Sequence, residues 1–218
     1  MTTYNLPIHC QIPDCETLFS DFQNLGYTVC NADSVILLSG RHFVENLEQG
    51  LVLRQIRPNE KNEFLRFQKE ELDHIPNNQE DNLCEALSDR EIDHSLQKDV
   101  FMGLFQNDRL VASMLFIPRP EEWQNNLPDL DMSFPHGIDN VVIVDSILVG
   151  QSHRGYGIQH FLFLVAESWA RSHGFPLLCG VASPKNTHSN ANFQKSGYEL
   201  VATKPKYHSV RNFYLRKL

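Results

Sequence analysis

A chain of 218 residues that is 41% hydrophobic and 21% charged has the makeup of an ordinary globular protein, and at that length it buries about 70% of its unfolded surface without a disulfide or metal staple. The formal net charge of −8 argues against nucleic acid as a partner, because displacing phosphate counterions takes a basic face. No apolar run approaches the ~20 residues that span a bilayer, so no membrane partner is expected.

The first fifteen residues, MTTYNLPIHCQIPDC, lack the basic start and apolar stretch of a secretion signal. Cys10, Cys15, Cys30, Cys84 and Cys179 are odd in number and scattered, with no zinc-ligand or CxxC spacing. Reduced thiols, no metal and a cytoplasmic location are the expectation. Residues 1–50 read as an N-terminal extension packed on a main domain of residues 51–218, since fifty residues make a poor core alone. Within the extension, Asp14 is a plausible cap for a short helix carrying Leu18, Phe22 and Leu25, closed by Gly26. Tyr27–Cys30 and Ser34–Leu38 suit short strands.

From Leu51 the pattern is regular. A strand is expected to end at Arg57-Pro58, followed by a charged helix with Phe64, Leu65, Phe67 and Leu72. A second helix, from about Asp81 to Gln97, carries Leu83, Leu87, Ile92 and Leu96. Between Asn59 and Asp99 twelve acids face five bases, whereas Thr203–Leu218 holds five bases and no acid. Solvated helices account for this, and so does a negative rim that draws a cationic amine. Val100–Phe105 and Leu110–Ile117, joined by Gln106-Asn107-Asp108-Arg109, read as a β-hairpin. A long Pro-containing loop with Trp123 and His136 follows; both residues suit an acceptor pocket or a simple loop anchor.

Val141–Val149 (VVIVDSILV) is almost wholly apolar, as a central strand covered on both faces should be. Ile158, Phe161, Leu162, Val165 and Trp169 then mark one helix face, which Gly174 ends. Leu177–Ala182 is a buried strand, a helix runs from about Asn186 to Lys195, and Tyr198–Ala202 and Arg211–Leu215 are closing strands. The expected class is α/β with a mixed sheet of six to seven strands and helices on both faces.

The junction Gln151–Phe161 (QSHRGYGIQHF) joins the most buried strand to the most amphipathic helix. Gly155 and Gly157 allow a sharp turn and a close approach of backbone to ligand. The unpartnered N–H groups at the helix start, aided by Arg154, suit a pyrophosphate. A tight connection without a ligand would use the same residues. No GxxxxGK[ST] loop is present, and the dinucleotide GxGxxG pattern is incomplete.

With this junction the chain resembles the GNAT superfamily of acyl-CoA-dependent N-acetyltransferases over about residues 51–218. The family's R/Q-x-x-G-x-G/A turn is matched by Arg154-Gly155-Tyr156-Gly157-Ile158-Gln159, with Gln159 in place of the usual small residue. That side chain would crowd the pyrophosphate or add a hydrogen bond. A second family signature, N-x-x-[SA]-x-x-x-[YF]-x-K-x-G-[FY], is matched from Asn186 through Ser189, Phe193, Lys195 and Gly197 to Tyr198.

The resemblance implies acetyl-CoA as co-substrate. The Leu148 and Val149 backbone would pair with the pantetheine amides, the Gly155–Gln159 amides would hold the pyrophosphate, and Asn186 and Phe193 would border the pantetheine arm. Tyr156 and His160 would reach phosphate or adenine, although His160 equally suits a solvated helix position. It also implies direct attack of a neutral amine on the thioester, with the oxyanion on the Val149 amide. Phe193 stands where many members carry a tyrosine that protonates the sulfur. Tyr198, Tyr207 or Ser189 would have to replace it, or the thiolate of pKa ~8.5 leaves unaided.

Asp145, the one acid on the central strand, is the candidate base; alternation puts it on the face of Ile143, Ile147 and Val149. A structural carboxylate is the alternative. Glu70, Glu71 and Asp73 are further amine-binding candidates or plain surface charges. The expected activity is acetyl transfer to a small-molecule or peptidyl amine. A non-catalytic acyl-CoA-binding module and transfer of another acyl group stay open, as does self-association into a homodimer.

Overall fold

In the computed structural model, which describes residues 4–11, 15–25, 28–30, 35–40, 50–118, 120 and 140–218, the long apolar runs line up as one sheet. Its strands are β1 (Tyr4–Cys10), β2 (Thr28–Cys30), β3 (Val35–Gly40), β4 (Leu51–Gln55), β5 (Val100–Gln106), β6 (Arg109–Pro118), β7 (Val141–Val149), β8 (Leu177–Ala182), β9 (Glu199–Lys206) and β10 (Ser209–Lys217). The order across the sheet is β2-β3-β1-β4-β5-β6-β7-β8-β10-β9. β1 runs parallel to β4 and β7 parallel to β8, and the other neighbours are antiparallel. The expected mixed α/β architecture is present. Residues from 51 onward supply seven strands, and β1–β3 lengthen the sheet by three.

The helices are α1 (Cys15–Asn24), α2 (Lys61–Asp73), the single turn α3 (Asn78–Asp81), α4 (Asp89–Lys98), α5 (Ile158–Ser172) and α6 (Thr187–Lys195). On one face of the sheet, α5, α1 and α6 share a core with Val142, Val144 and Phe193, and Phe22 meets Phe161 at 5.0 Å between ring centres. On the other face, Phe64, Phe67 and Ile92 of α2 and α4 pack on Phe101, Leu115, Ile143 and Leu148. Leu18 and Phe22 of α1 are buried as their spacing implies, but Leu25 is 57% exposed. Asp14 and Gly26, the expected caps of α1, lie outside the described residues, as do Trp123 and His136.

The helix expected from Asp81 to Gln97 begins only at Asp89. Ser88 and Glu91 form a reciprocal capping box that starts it there. The preceding backbone is tied to other elements instead: Cys84 N–H donates to Asn78 Oδ1, and Leu87 exchanges two bonds with the Gln68 amide at 2.9 and 3.0 Å. The leucine spacing carried the helical reading backward through residues whose hydrogen bonds are tertiary. The Gln106–Arg109 hairpin forms as expected, with Asn107 and Asp108 at φ 50° and 61°.

Two irregularities in the middle of the sheet position the site. β7 and β8 pair only from Val141↔Leu177 to Val144↔Gly180, after which β7 runs on through Val149 paired with β6 alone. Opposite β6, Ser113 faces Leu148 while Leu115 faces Asp145, so β7 carries one extra residue there. Ser146, at φ 46°, is the bulge. The bulge overturns the expected alternation: Asp145 follows Ile143 toward the α2 side, but Ile147 and Val149 turn to the α5 side.

Gly180 marks the place where the gap opens. A Cβ there would stand 2.7 Å from the Phe193 ring and 3.1 Å from the Val144 carbonyl oxygen. Gly180→Ala is therefore expected to cost about 1–3 kcal/mol in chemical denaturation, and adding Phe193→Leu should recover part of it. A neutral Gly180→Ala would show that the ring does not hold this close contact.

Candidate functional site

Beyond Val144, β7 has one edge without a strand partner among the described residues, and its carboxyl end leads into the turn that starts α5. Gly150 donates its N–H to the Val111 carbonyl at 2.8 Å. Across that planar peptide the Val149 carbonyl must point the other way, into the gap. In a strand the N–H of the same residue follows it, so Val149 presents both groups to the open edge and Leu148 turns its own toward β6.

The turn itself has the conformation its glycines allow. Gly155 and Gly157 lie at φ 87° and 79°, values that favour glycine. Gly157 is also the N-cap of α5, and no side chain caps that helix. The leading amides are left for a ligand. A Cβ on Gly157 would meet nothing within 4 Å, so the space beside the start of α5 is open. Ile158 and Tyr156 are buried in the α5 core and anchor the turn. This places the Tyr156 ring among apolar side chains instead of the phosphate position expected for it.

Arg154 is not a free charge. Its Nε donates to the Val149 carbonyl at 3.0 Å and its Nη2 to Glu71 Oε2 at 2.9 Å. The same Glu71 oxygen accepts the Gln151 N–H at 2.8 Å. Glu71, buried on α2, is thus a clamp that holds the entry to the turn. Its neighbours among the amine-binding candidates are paired as well, Glu70 with Arg109 at 3.7 Å and Asp73 with Lys69 at 2.6 Å. His153, buried, bonds Gln106 through Nε2 at 3.2 Å and Ser152 through Nδ1 at 2.9 Å, pinning the turn to β5. Burial and the Arg109 charge lower its pKa, so it is neutral near pH 7.

Gln159 turns sideways. Its Oε1 accepts from Asn192 Nδ2 at 2.7 Å, which holds the side chain against α6. His160 is half-buried and shares a 2.8 Å hydrogen bond between its Nδ1 and Ser196 Oγ; burial, then Lys195, lowers its pKa. Asn186 caps α6 by accepting the Ser189 N–H at 3.1 Å and reaches the Leu83 carbonyl at 3.4 Å. Phe193 is 3% exposed, stacked on Tyr214 at 4.6 Å with an interplanar angle of 2°.

The expected proton donors do not converge. Tyr198 is buried between Phe163 and Phe193, and its hydroxyl has no hydrogen-bond partner. Burial and the nearby Glu167 raise its pKa well above the usual value. Tyr207 sits at the β9–β10 turn with φ 50°, its carbonyl accepting from Asn82 Nδ2 at 3.1 Å. Ser189 stands in the first turn of α6.

Asp145 is half-buried beside the gap and accepts the Ser146 N–H at 2.7 Å. Burial raises its pKa, helped by Glu91 and Glu85 and opposed by the Ser146 bond. Residues missed from the sequence cluster next to it. Cys84, Glu85 and Arg211 come from a segment read as helix and from a strand end, and nothing in their spacing links them. Among the described residues no group of three or more His, Cys, Asp or Glu is placed to hold a metal ion, and no helix is long and apolar enough to cross a membrane.

An open strand edge that ends at an uncapped helix N-terminus suits an extended, amide-bearing ligand that terminates in linked phosphates. The family model described as the acetyltransferase (GNAT) family matches residues 62–198. Solved structures share the fold. A GNAT-family acetyltransferase from Streptococcus agalactiae is 17% identical with a TM-score of 0.58, over 78% of this chain and 96% of that one. The GNAT domain of an S. lividans protein called PAT is 14% identical with a TM-score of 0.55, over 88% and 96%. An acetyltransferase from Salmonella typhimurium, seen with its cofactor acetyl-CoA, is 14% identical with a TM-score of 0.54, over 78% and 94%. No curated protein matches.

The raised pKa of Asp145 has a sign that can be checked. The folded chain holds this proton to higher pH than the unfolded chain does. The stability it contributes is therefore complete below the unfolded value and lost as pH rises through the folded one. Asp145→Asn keeps an acceptor for Ser146 and removes the buried charge. It is expected to raise Tm at pH 7.5 and leave it nearly unchanged at pH 4. A difference that does not vary with pH would contradict this.

Proposed function

The chain belongs to the acetyltransferase (GNAT) family, and on that footing we propose that it is an N-acetyltransferase moving an acetyl group from acetyl-CoA to a primary amine of a small molecule or peptide. The observation that carries this reading is the open β7 edge leading to an uncapped α5 N-terminus, with a left-handed glycine and open space beside it. The Val149 carbonyl, which keeps a second lone pair beside its Arg154 bond, would accept from a pantetheine amide, and the amides from Gly155 to Gln159 would meet the pyrophosphate. Arg154 serves chiefly to hold this turn through Glu71 and Val149.

The acceptor amine attacks the thioester carbonyl, the nitrogen–carbon bond forms as carbon–sulfur breaks, and the amine proton passes to Asp145 directly or through water. A carboxyl with a raised pKa takes that proton more readily than an ordinary surface carboxylate. The Val149 N–H is the donor that meets charge developing on the carbonyl oxygen. With Phe193 lacking a hydroxyl and the Tyr198 hydroxyl buried between Phe163 and Phe193, the thiolate leaves and picks up a proton from solvent. These two residues also favour the second reading, a module that binds acyl-CoA without turning it over.

Acetyl-CoA is expected to raise Tm, with ~2.7 kcal/mol of stabilisation at a hundred times its Kd. Gly157→Trp, which sets a large side chain beside the α5 amides, should abolish the gain; because Gly157 lies at φ 79°, the variant should also lose about 1–2 kcal/mol without ligand, so the shift is read against the variant's own ligand-free Tm. CoA release over a panel of amines then separates enzyme from binding module. Absence of any shift at millimolar acetyl-CoA would end both readings.

A further inference from the structure

Two arginines are buried among the described residues, and they are treated differently. Arg54 places both terminal nitrogens on Glu60, at 2.9 and 2.8 Å. Arg211, 3% exposed, spends Nη1 on the carbonyls of Asn82 and Val210 at 2.9 and 3.3 Å, while its Nη2 makes no hydrogen bond. The paired carboxylate, Glu85, stands 3.9 Å away on an exposed side chain. A buried guanidinium donor left unmatched is costly, and native structures keep few of them.

Its position says what would match it. Arg211 shares a face of β10 with Phe213 and Leu215, which pack with Val141 and Cys179. Asp145 follows Val141 and Ile143 on the corresponding face of β7. Asn212 pairs with Ala182, the last residue of β8, so Arg211 lies just past the end of that strand. Asp145 and Arg211 thus stand on opposite sides of the gap that opens between β7 and β8.

Residues 82–87 cross the same region. Asn82 holds the Tyr207 carbonyl and receives Arg211, Leu83 receives Asn186, and Leu87 is held by Gln68 of α2. Cys84 lies close to both ends: burial first, then Asp145, pushes its thiol up to about 11, with Arg211 pulling the other way. A simple cation in this space would leave Arg211 Nη2 unmatched. A simple anion would face Asp145, Glu85 and Glu91 around Arg211, since Arg154, the other guanidinium in range, already spends its Nη2 on Glu71. A zwitterion satisfies both.

We propose that Arg211 anchors a carboxylate of the acceptor, so that the substrates are amino acids or short peptides carrying an amine and a free carboxylate, with the amine toward Asp145. This rests on the acetyl-transfer reading above and names the acceptor class for the same site. The bond changes are those already given.

The test measures kcat and KM, at saturating acetyl-CoA, for amino acids and dipeptides against their own amides, beside polyamines and aminoglycosides. One charge-assisted hydrogen bond predicts that wild type favours each acid over its amide by ~10–100-fold in kcat/KM, mostly through KM. Arg211→Gln should bring the ratio to within about threefold, and Arg211→Lys should keep part of it. A merely structural arginine would weaken acid and amide alike and leave the ratio unmoved.

Equal use of acids and amides by wild type, or a preference that survives in Arg211→Gln, overturns the proposal. Should Arg211→Gln fail to fold, the wild-type ratio decides alone. Turnover confined to polyamines or aminoglycosides sinks the carboxylate anchor and leaves acetyl transfer standing. Failure to bind acetyl-CoA removes the acetyl-transfer reading itself, and binding without turnover of any amine overturns both acetyl transfer and the anchor.

Discussion

A strand that leaves its neighbour halfway along must find other partners for its peptide groups, and the site of this protein is built around that need. β7 and β8 part after Val144 and Gly180. Each backbone N–H and carbonyl turned into the gap is then a donor or acceptor without a ladder. The bulge at Ser146 makes the parting local, rotating β7 so that Val149 keeps one side on the gap while Leu148 stays with β6. The Phe193 ring packed on Gly180 sets the depth at which the gap begins. A binding groove results from pairing withheld, with no cavity needing to be carved from the core.

The charges near the groove divide into those that hold shape and those left with unmet demands. Glu71 takes the Gln151 N–H and the Arg154 guanidinium, so the entry to the glycine turn is held before any ligand arrives. Preorganisation of this kind lowers the ordering cost of binding. Gln159, the departure from the family pattern, is held aside by Asn192 and does not fill the space before the α5 amides. Asp145 and Arg211 are different in kind, the first a carboxyl disfavoured as an anion and the second a cation with a donor unmatched. Residues 82–87 bind α2, α6 and the β9–β10 hairpin together over them.

Much of this was legible in the chain itself. Apolar runs of strand length, the helix face from Ile158 to Trp169 and the glycines at 155 and 157 are local signals. Local signals survive because backbone sterics and periodic burial act within a few residues of sequence. The helix misread before Asp89 fails for the opposite reason. Leu83 and Leu87 repeat at helical spacing, yet the Leu87 N–H goes to Gln68 and the Leu83 and Asn82 carbonyls to Asn186 and Arg211, all distant in sequence.

The order of most elements, the strand-turn-helix unit that faces a ligand and the central position of Val141–Val149 follow from residue pattern alone, because each depends on neighbours along the chain. The partners of Arg154, the burial of Tyr198, the sideways turn of Gln159 and the placing of Asp145 and Arg211 on the same face of two strands flanking the gap depend on elements dozens of residues apart. A single extra residue in β7 shows why such matters escape a one-dimensional reading. It reverses which side chains face which core, and the reversal is visible only when Ser113 and Leu115 of the adjacent strand are laid beside it.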